Sequence, residues 1–138
     1  MHLLANNKLS LISEKIYHKK ECDIIEINEF IIKRADKDIL IKGLENEFPI
    51  DCNYFGKDFS VLYFEKFYLR TSSYLLASII INFINIDECE VVILTGGGGS
   101  GLMDVKFGSE KNINIKIKNF LEKLCKENLW IITERNQP

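Results

Sequence analysis

The sequence predicts an α+β domain in which an antiparallel sheet, with a long hairpin at about 73–95, packs against two helices at about 23–37 and 110–126. Three observations carry this expectation. Val61, Tyr63, Glu65 and Phe67 alternate with Leu62, Phe64, Lys66 and Tyr68, and aromatic or β-branched residues dominate, which is the period of a strand. Residues 73–95 are rich in isoleucine and valine around Asp87-Glu88, where a turn would reverse the chain. Ile113, Ile117, Phe120, Leu121 and Leu124 recur at i, i+4, i+7, i+8 and i+11, the stripe of an amphipathic helix.

The elements follow in order. Residues 1–22 read equally as a strand followed by a charged turn or as a short helix, because Leu9, Leu11 and Ile16 fit both periods. Over 23–37, Ile24, Ile27, Ile31 and Arg34 form a helical stripe with Ile25 and Phe30 beside it, and Asp23 suits an N-cap. In the long hairpin Ile79, Ile81 and Phe83 share one face, while Leu76, Ile80 and Ile84 share the other. Both faces therefore want cover: helices on one, and a second helix, a dimer mate or a protein partner on the other. After the glycine run at 96–101, residues 102–107 read as a short strand. Gly108-Ser109-Glu110 then opens a helix with an acid at its positive end. A last strand at 129–133 places Trp130 in or beside the sheet.

Composition bounds the function. At 138 residues, 46% apolar and 28% charged, the whole chain reads as a single domain (1–138) able to bury a core without disulfides or metal. A net charge of −2 lacks the basic excess with which nucleic-acid binders displace counterions, so no nucleic-acid partner is expected. The longest uncharged run, 71–86, is too short and too polar to span a membrane, and the N-terminus has no signal-peptide pattern. Cys22, Cys52, Cys89 and Cys125 stand 30, 37 and 36 residues apart, without the close pairs of zinc or thioredoxin-like sites. They read as reduced thiols of a cytoplasmic protein, and no metal or cofactor is expected.

The order of motifs from Tyr63 onward, with Glu65-Lys66-Phe67-Tyr68-Leu69-Arg70-Thr71-Ser72-Ser73, a hairpin, Gly97-Gly98-Gly99-Ser100-Gly101, and Phe107-Gly108-Ser109-Glu110 before an amphipathic helix, resembles a family of small uncharacterised proteins, a domain of unknown function, from Gram-positive bacteria. The resemblance covers about residues 63–124. It implies an α+β domain of antiparallel sheet and helices and a native glycine run, and it implies no activity.

The glycines invite three phosphate-binding readings. Gly96 and Gly101 fit the outer glycines of a P-loop, but Leu102-Met103 stands where lysine and serine or threonine are required. The G-x-G-x-x-G match of Gly96, Gly98 and Gly101 feeds an apparent strand instead of a helix N-terminus. A kinase-like glycine hairpin would need a far longer chain and its downstream motifs. The ordinary reading is relief of a sheet edge by positive φ, a bulge or close backbone approach. The functional one is a main-chain nest for a phosphate- or nucleotide-bearing ligand, built from Gly97, Gly98, Gly99, Ser100 and Gly101 with Arg70 as supporting charge.

Catalysis finds less footing. His2 and His18 are the only histidines, one terminal and one in a basic run, so no nucleophile–histidine arrangement suggests itself and no catalytic residue is assigned. The aromatics Tyr54, Phe55, Phe59, Tyr63, Phe64, Phe67 and Tyr68 are dense enough for a stacking platform, but strand alternation assigns them to a core. The leading expectation is a non-enzymatic, cytoplasmic binding protein that forms a homodimer or buries Leu76, Ile80 and Ile84 on a protein partner, a toxin-neutralising role among the options. The alternative is a binder of a small anionic ligand at the glycines.

Overall fold

The computed structural model describes residues 25–68, 73–99 and 109–135, and in these residues six strands form one sheet with two helices against it. In chain order the elements are β1 (Ile25–Lys33), α1 (Lys37–Glu47), β2 (Cys52–Phe55), β3 (Phe59–Tyr68), β4 (Ser73–Asn85), β5 (Glu88–Gly99), α2 (Ser109–Asn128) and β6 (Ile131–Arg135). The strand order is β2-β3-β4-β5-β1-β6, and every neighbouring pair is antiparallel. The α+β class follows from this arrangement.

The expected helix at 23–37 is a strand over its described part. β1 is paired on both sides, Ile31 standing opposite Glu90 of β5 and Thr133 of β6. The helical stripe misleads because Ile27 and Ile31 also fit a period of two, with the buried Phe30 and Ile32 on the same face as each other. Isoleucine adds to this, since its branched Cβ is held to one rotamer in a helix and packs well against neighbours on a pleated strand. The first described helix starts where the expected one was to end. Arg34 turns the chain with φ 65°, and the Asp36 carboxylate accepts the Ile39 N–H at 3.0 Å as an N-cap.

Short connections then fix the register. Between β2 and β3 the Gly56 N–H donates to the Phe59 carbonyl at 2.8 Å, and a Cβ at Gly56 would run into the Phe59 ring. β4 returns into β5 through Asn85, Ile86 and Asp87, with a bulge between Phe83 and Asn85 and the Asp87 N–H donating to Asn85 Oδ1 at 3.1 Å. α2 ends on Leu129 in the left-handed region (φ 61°), and the Trp130 N–H reaches back to the Cys125 carbonyl at 2.8 Å. The strand expected at 102–107 and the open question of 1–22 fall outside the described residues.

Both helices pack on the face that carries Phe30, Ile32, Leu62, Phe64, Ile79, Ile81, Val91 and Ile93, all buried. α1 contributes Leu40 and Leu44, and α2 contributes Ile117, Leu121 and Cys125. Each such aliphatic chain stabilises the fold by about 1.5–3 kcal/mol on burial. Phe48 joins the layers, stacked on Phe64 with ring centroids 5.9 Å apart and edge-on to Phe120 at 5.7 Å. The helices meet at Gly43, where an added Cβ would lie 3.4 Å from Leu124 and from Phe120. The core therefore sits between one sheet face and two helices, and the other face has no described element over it.

Candidate functional site: the open face of the sheet

Strand parity decides which residues face which way, and one polar contact decides which face α2 covers. Asn114, buried on α2, donates through Nδ2 to the Glu26 carbonyl at 3.2 Å and to Thr95 Oγ1 at 3.1 Å, and its Oδ1 accepts from the Asn28 amide. This network fixes the helix across β1 and β5. Glu26, Asn28, Thr95 and Ile93 thus belong to the covered face, and their chain neighbours belong to the open one.

On the open face the pairing sets residues side by side in rows. One row runs Tyr54, Val61, Ile80, Val92, Glu29 and Arg135 across all six strands. Towards the turn between β4 and β5 the surface is charged. Arg135 Nη1 lies 3.0 Å from Glu90 Oε2 and 3.9 Å from Glu29 Oε2, which clamps β6 to β5 across β1. Towards the opposite end it is apolar apart from Glu65: Glu65, Leu76 and Gly96 form one row, and Phe67, Tyr74 and Gly98 the next. Phe67 and Tyr74 have ring centroids 4.9 Å apart, and both remain about half exposed (47% and 49%), with Leu76 at 40%. Tyr54, at 60%, leans on Phe59 at the far edge.

The acid in this region is tied down. Tyr63 donates its hydroxyl to Glu65 Oε2 at 2.7 Å, and the Glu65 N–H donates to Asp51 Oδ2 at 2.9 Å. The hydrogen bond to Glu65 holds the Tyr63 phenol above its ordinary range, with partial burial and the charges of Glu65 and Asp51 adding to it.

The residues singled out by sequence divide. Leu76 and Ile80 lie on the open face, Leu76 exposed and Ile80 half-buried, whereas the half-buried Ile84 is the extra residue of the bulge between Phe83 and Asn85 and has no cross-strand partner. The glycines at 96–99 belong to β5 and not to a loop. Gly96, Gly97, Gly98 and Gly99 pair with Leu76, Leu75, Tyr74 and Ser73, and no described glycine has positive φ. A nest needs successive amides converging through alternating backbone hands, and extended backbone points them to opposite edges. Of the expected cradle, Gly97, Gly98 and Gly99 are strand residues. Its other members, Ser100, Gly101 and Arg70, lie outside the described residues, as do both histidines.

Tyr54, Phe59, Tyr63 and Phe67 correct the assignment of all these aromatics to a core. Phe64 is buried under the helices, and with Leu62 and Phe64 inside, parity sends Phe59, Tyr63 and Phe67 outward. Tyr74 is the residue that sequence reasoning missed. Its signal was available in its place two residues before Leu76 on the same face.

Other chemistry is sparse among the described residues. No group of three His, Cys, Asp or Glu side chains is placed to hold a metal ion, and no helix is long and apolar enough to cross a membrane. A recess beside the β4–β5 turn, lined by Lys37, Phe83, Ile86 and Cys89 among others, has a cavity volume of about 10 Å³, far below the ~300–1,000 Å³ of ordinary small-molecule sites. Cys89 and Cys125 are buried thiols whose ionisation burial opposes, pushing them up to about 12 and about 11. No family model, curated protein or solved structure matches the chain. The open face, with exposed aromatics in ordered pairs, is the strongest candidate for a functional surface.

Proposed function

We propose that this chain is a non-enzymatic, cytoplasmic binding protein whose working surface is the apolar end of the open sheet face. The observation that carries this reading is the exposed cluster of Phe67, Tyr74 and Leu76 on adjacent strands, backed by the half-buried Ile80. Large apolar groups left in water together, on rigid strands instead of loop tips, are the signature of a surface that is buried on association. Aromatic anchors add contact area at little conformational cost, because each has only two side-chain torsions to fix. The residues implied are Leu76 and Ile80 from β4, joined by Phe67 and Tyr74, while Ile84 lies at the turn end of the same strand.

The test is hydroxyl-radical footprinting in living cells against dilute purified protein, read at Tyr54, Phe67 and Tyr74. Lower reactivity of Phe67 and Tyr74 in cells, relative to dilute protein, is the expected result. Equal reactivity in both settings would refute the reading.

A further inference from the structure

The open face carries a ridge and a trough side by side, and their arrangement is self-complementary. The ridge is Tyr74 and Leu76 on β4, with Phe67 braced against Tyr74. The trough is on β5, where Gly98 stands opposite Tyr74 and Gly96 opposite Leu76, neither with a side chain to fill the space above the backbone. We infer that the occupant of this surface is a second copy of the chain, seated so that Tyr74 and Leu76 of each copy enter the glycine trough of the other. This inference rests on the reading of the open face as a binding surface.

The geometry works out from the register. A two-fold axis lying between two facing sheets, parallel to the strands and midway between β4 and β5, exchanges the positions of those strands while preserving the level along them. Tyr74 then meets Gly98 of the second copy, and Leu76 meets its Gly96, with no offset needed. Facing sheets pack about 10 Å apart, a spacing that suits a tyrosine ring against bare backbone and excludes one ring end-on against another. The same axis keeps the acid of this region from meeting itself. Glu65 on β3 lies one and a half strand spacings from the axis, so the two copies of Glu65 stand about 14 Å apart laterally, beyond a Debye length of ~8 Å.

Counting only the apolar rows, from Phe67, Tyr74 and Gly98 to Val61, Ile80 and Val92, four strands of about seven residues present on the order of 450 Å² in plan before side-chain relief is counted, more than half of the ~800 Å² per partner of a stable interface. Charge composition points the same way, since the Arg135, Glu90 and Glu29 cluster lies away from the ridge and the ridge itself carries no charge to read a charged partner. Glycine inside a strand often marks close approach of another backbone, and this arrangement supplies that approach at Gly96 and Gly98.

The experiment is sedimentation velocity of the full chain from about 1 to 100 µM. Twice the chain mass at the upper end is expected. Gly98→Val fills the trough with a residue that favours strands, so it should weaken self-association at least tenfold while the thermal midpoint of dilute protein is unchanged or higher. A merely structural glycine would give the opposite pair of results. Should Gly98→Val not fold, Tyr74→Ser removes the exposed ridge residue and should also sediment as monomer. Wild type that stays monomeric at the highest concentration, or a Tyr74→Ser or folded Gly98→Val variant that dimerises like wild type, would overturn the inference. A monomeric wild type whose Phe67 and Tyr74 are nevertheless protected in cells would remove the second copy and leave the binding surface standing.

Discussion

Replacing Asn114 by alanine should cost about 3 kcal/mol of folding stability. The side chain is buried and makes hydrogen bonds to the Glu26 carbonyl, to Thr95 Oγ1 and from the Asn28 amide. A buried neutral hydrogen bond contributes about 1 kcal/mol net, and three such bonds set the scale. For a domain of this size that loss lowers Tm by roughly 10 °C. Asn114→Asp separates hydrogen bonding from shape. A carboxylate keeps the acceptor for Asn28, loses the donor to Glu26, and sets a charge against the Glu26 carbonyl and the nearby Ile93 carbonyl (3.5 Å from Nδ2). Its cost at pH 7 should exceed that of alanine and should shrink at pH 4, where the buried acid can take up a proton and donate again. Equilibrium urea unfolding reads all three proteins, with an unchanged slope showing that only stability has moved. Asn114→Ala within 0.5 kcal/mol of wild type, on the scale of an ordinary surface substitution, would refute the argument that this network sets α2 on its face of the sheet.

Three further outcomes follow from local geometry and burial. Leu129 holds φ 61° at the end of α2 with its side chain 79% exposed, so Leu129→Gly should stabilise the protein by about 1 kcal/mol, seen as a rise of a few degrees in Tm. Cys89 and Cys125, raised to about 12 and about 11 by burial, should resist iodoacetamide at pH 8 in the native state while the exposed Cys52 reacts. Because both folded-state values lie above the ordinary thiol value, the folded form retains protons that the unfolded chain gives up. Stability is therefore undiminished below pH 9 and falls from there to about pH 11, by about 1.4 kcal/mol per pH unit for each thiol. Denaturant midpoints that stay flat from pH 8.5 to 10.5 would contradict this.

Elements with one dominant period were legible in the sequence. The 3.6-residue stripe of Ile113, Ile117, Leu121 and Leu124 has no competing alternation, and α2 occupies Ser109–Asn128. The alternation of Leu62 and Phe64 against Val61 and Tyr63 likewise has a single reading, and β3 runs Phe59–Tyr68. β1 was not legible, because isoleucines at 27 and 31 satisfy both periods and the tie is broken by pairing with β5 and β6, partners distant in sequence. The candidate site was half legible. Parity placed Leu76 and Ile80 together, but nothing local shows that both helices choose the opposite face. That choice depends on Asn114 meeting Thr95 and Glu26 across long stretches of chain.

The glycines of β5 bear most directly on what the open face is for. Each costs about 0.5–1 kcal/mol relative to alanine in a strand interior, so four in succession cost about 2–4 kcal/mol out of a stability of order 5–15. Two of the usual intramolecular reasons for strand glycine do not apply at these positions. At Gly96 and Gly97 φ is not positive, and the register from Gly96 to Gly99 runs without a bulge, the irregularity of this hairpin lying instead at Phe83 and Asn85. Close approach is the remaining reason, and at Gly96 and Gly98 it must come from the side on which Leu76 and Tyr74 stand exposed. A surface that demands a neighbour near its backbone, beside side chains that demand burial, is satisfied by one partner that answers both demands at once. A second copy of the same chain does so with no feature beyond those already in its register.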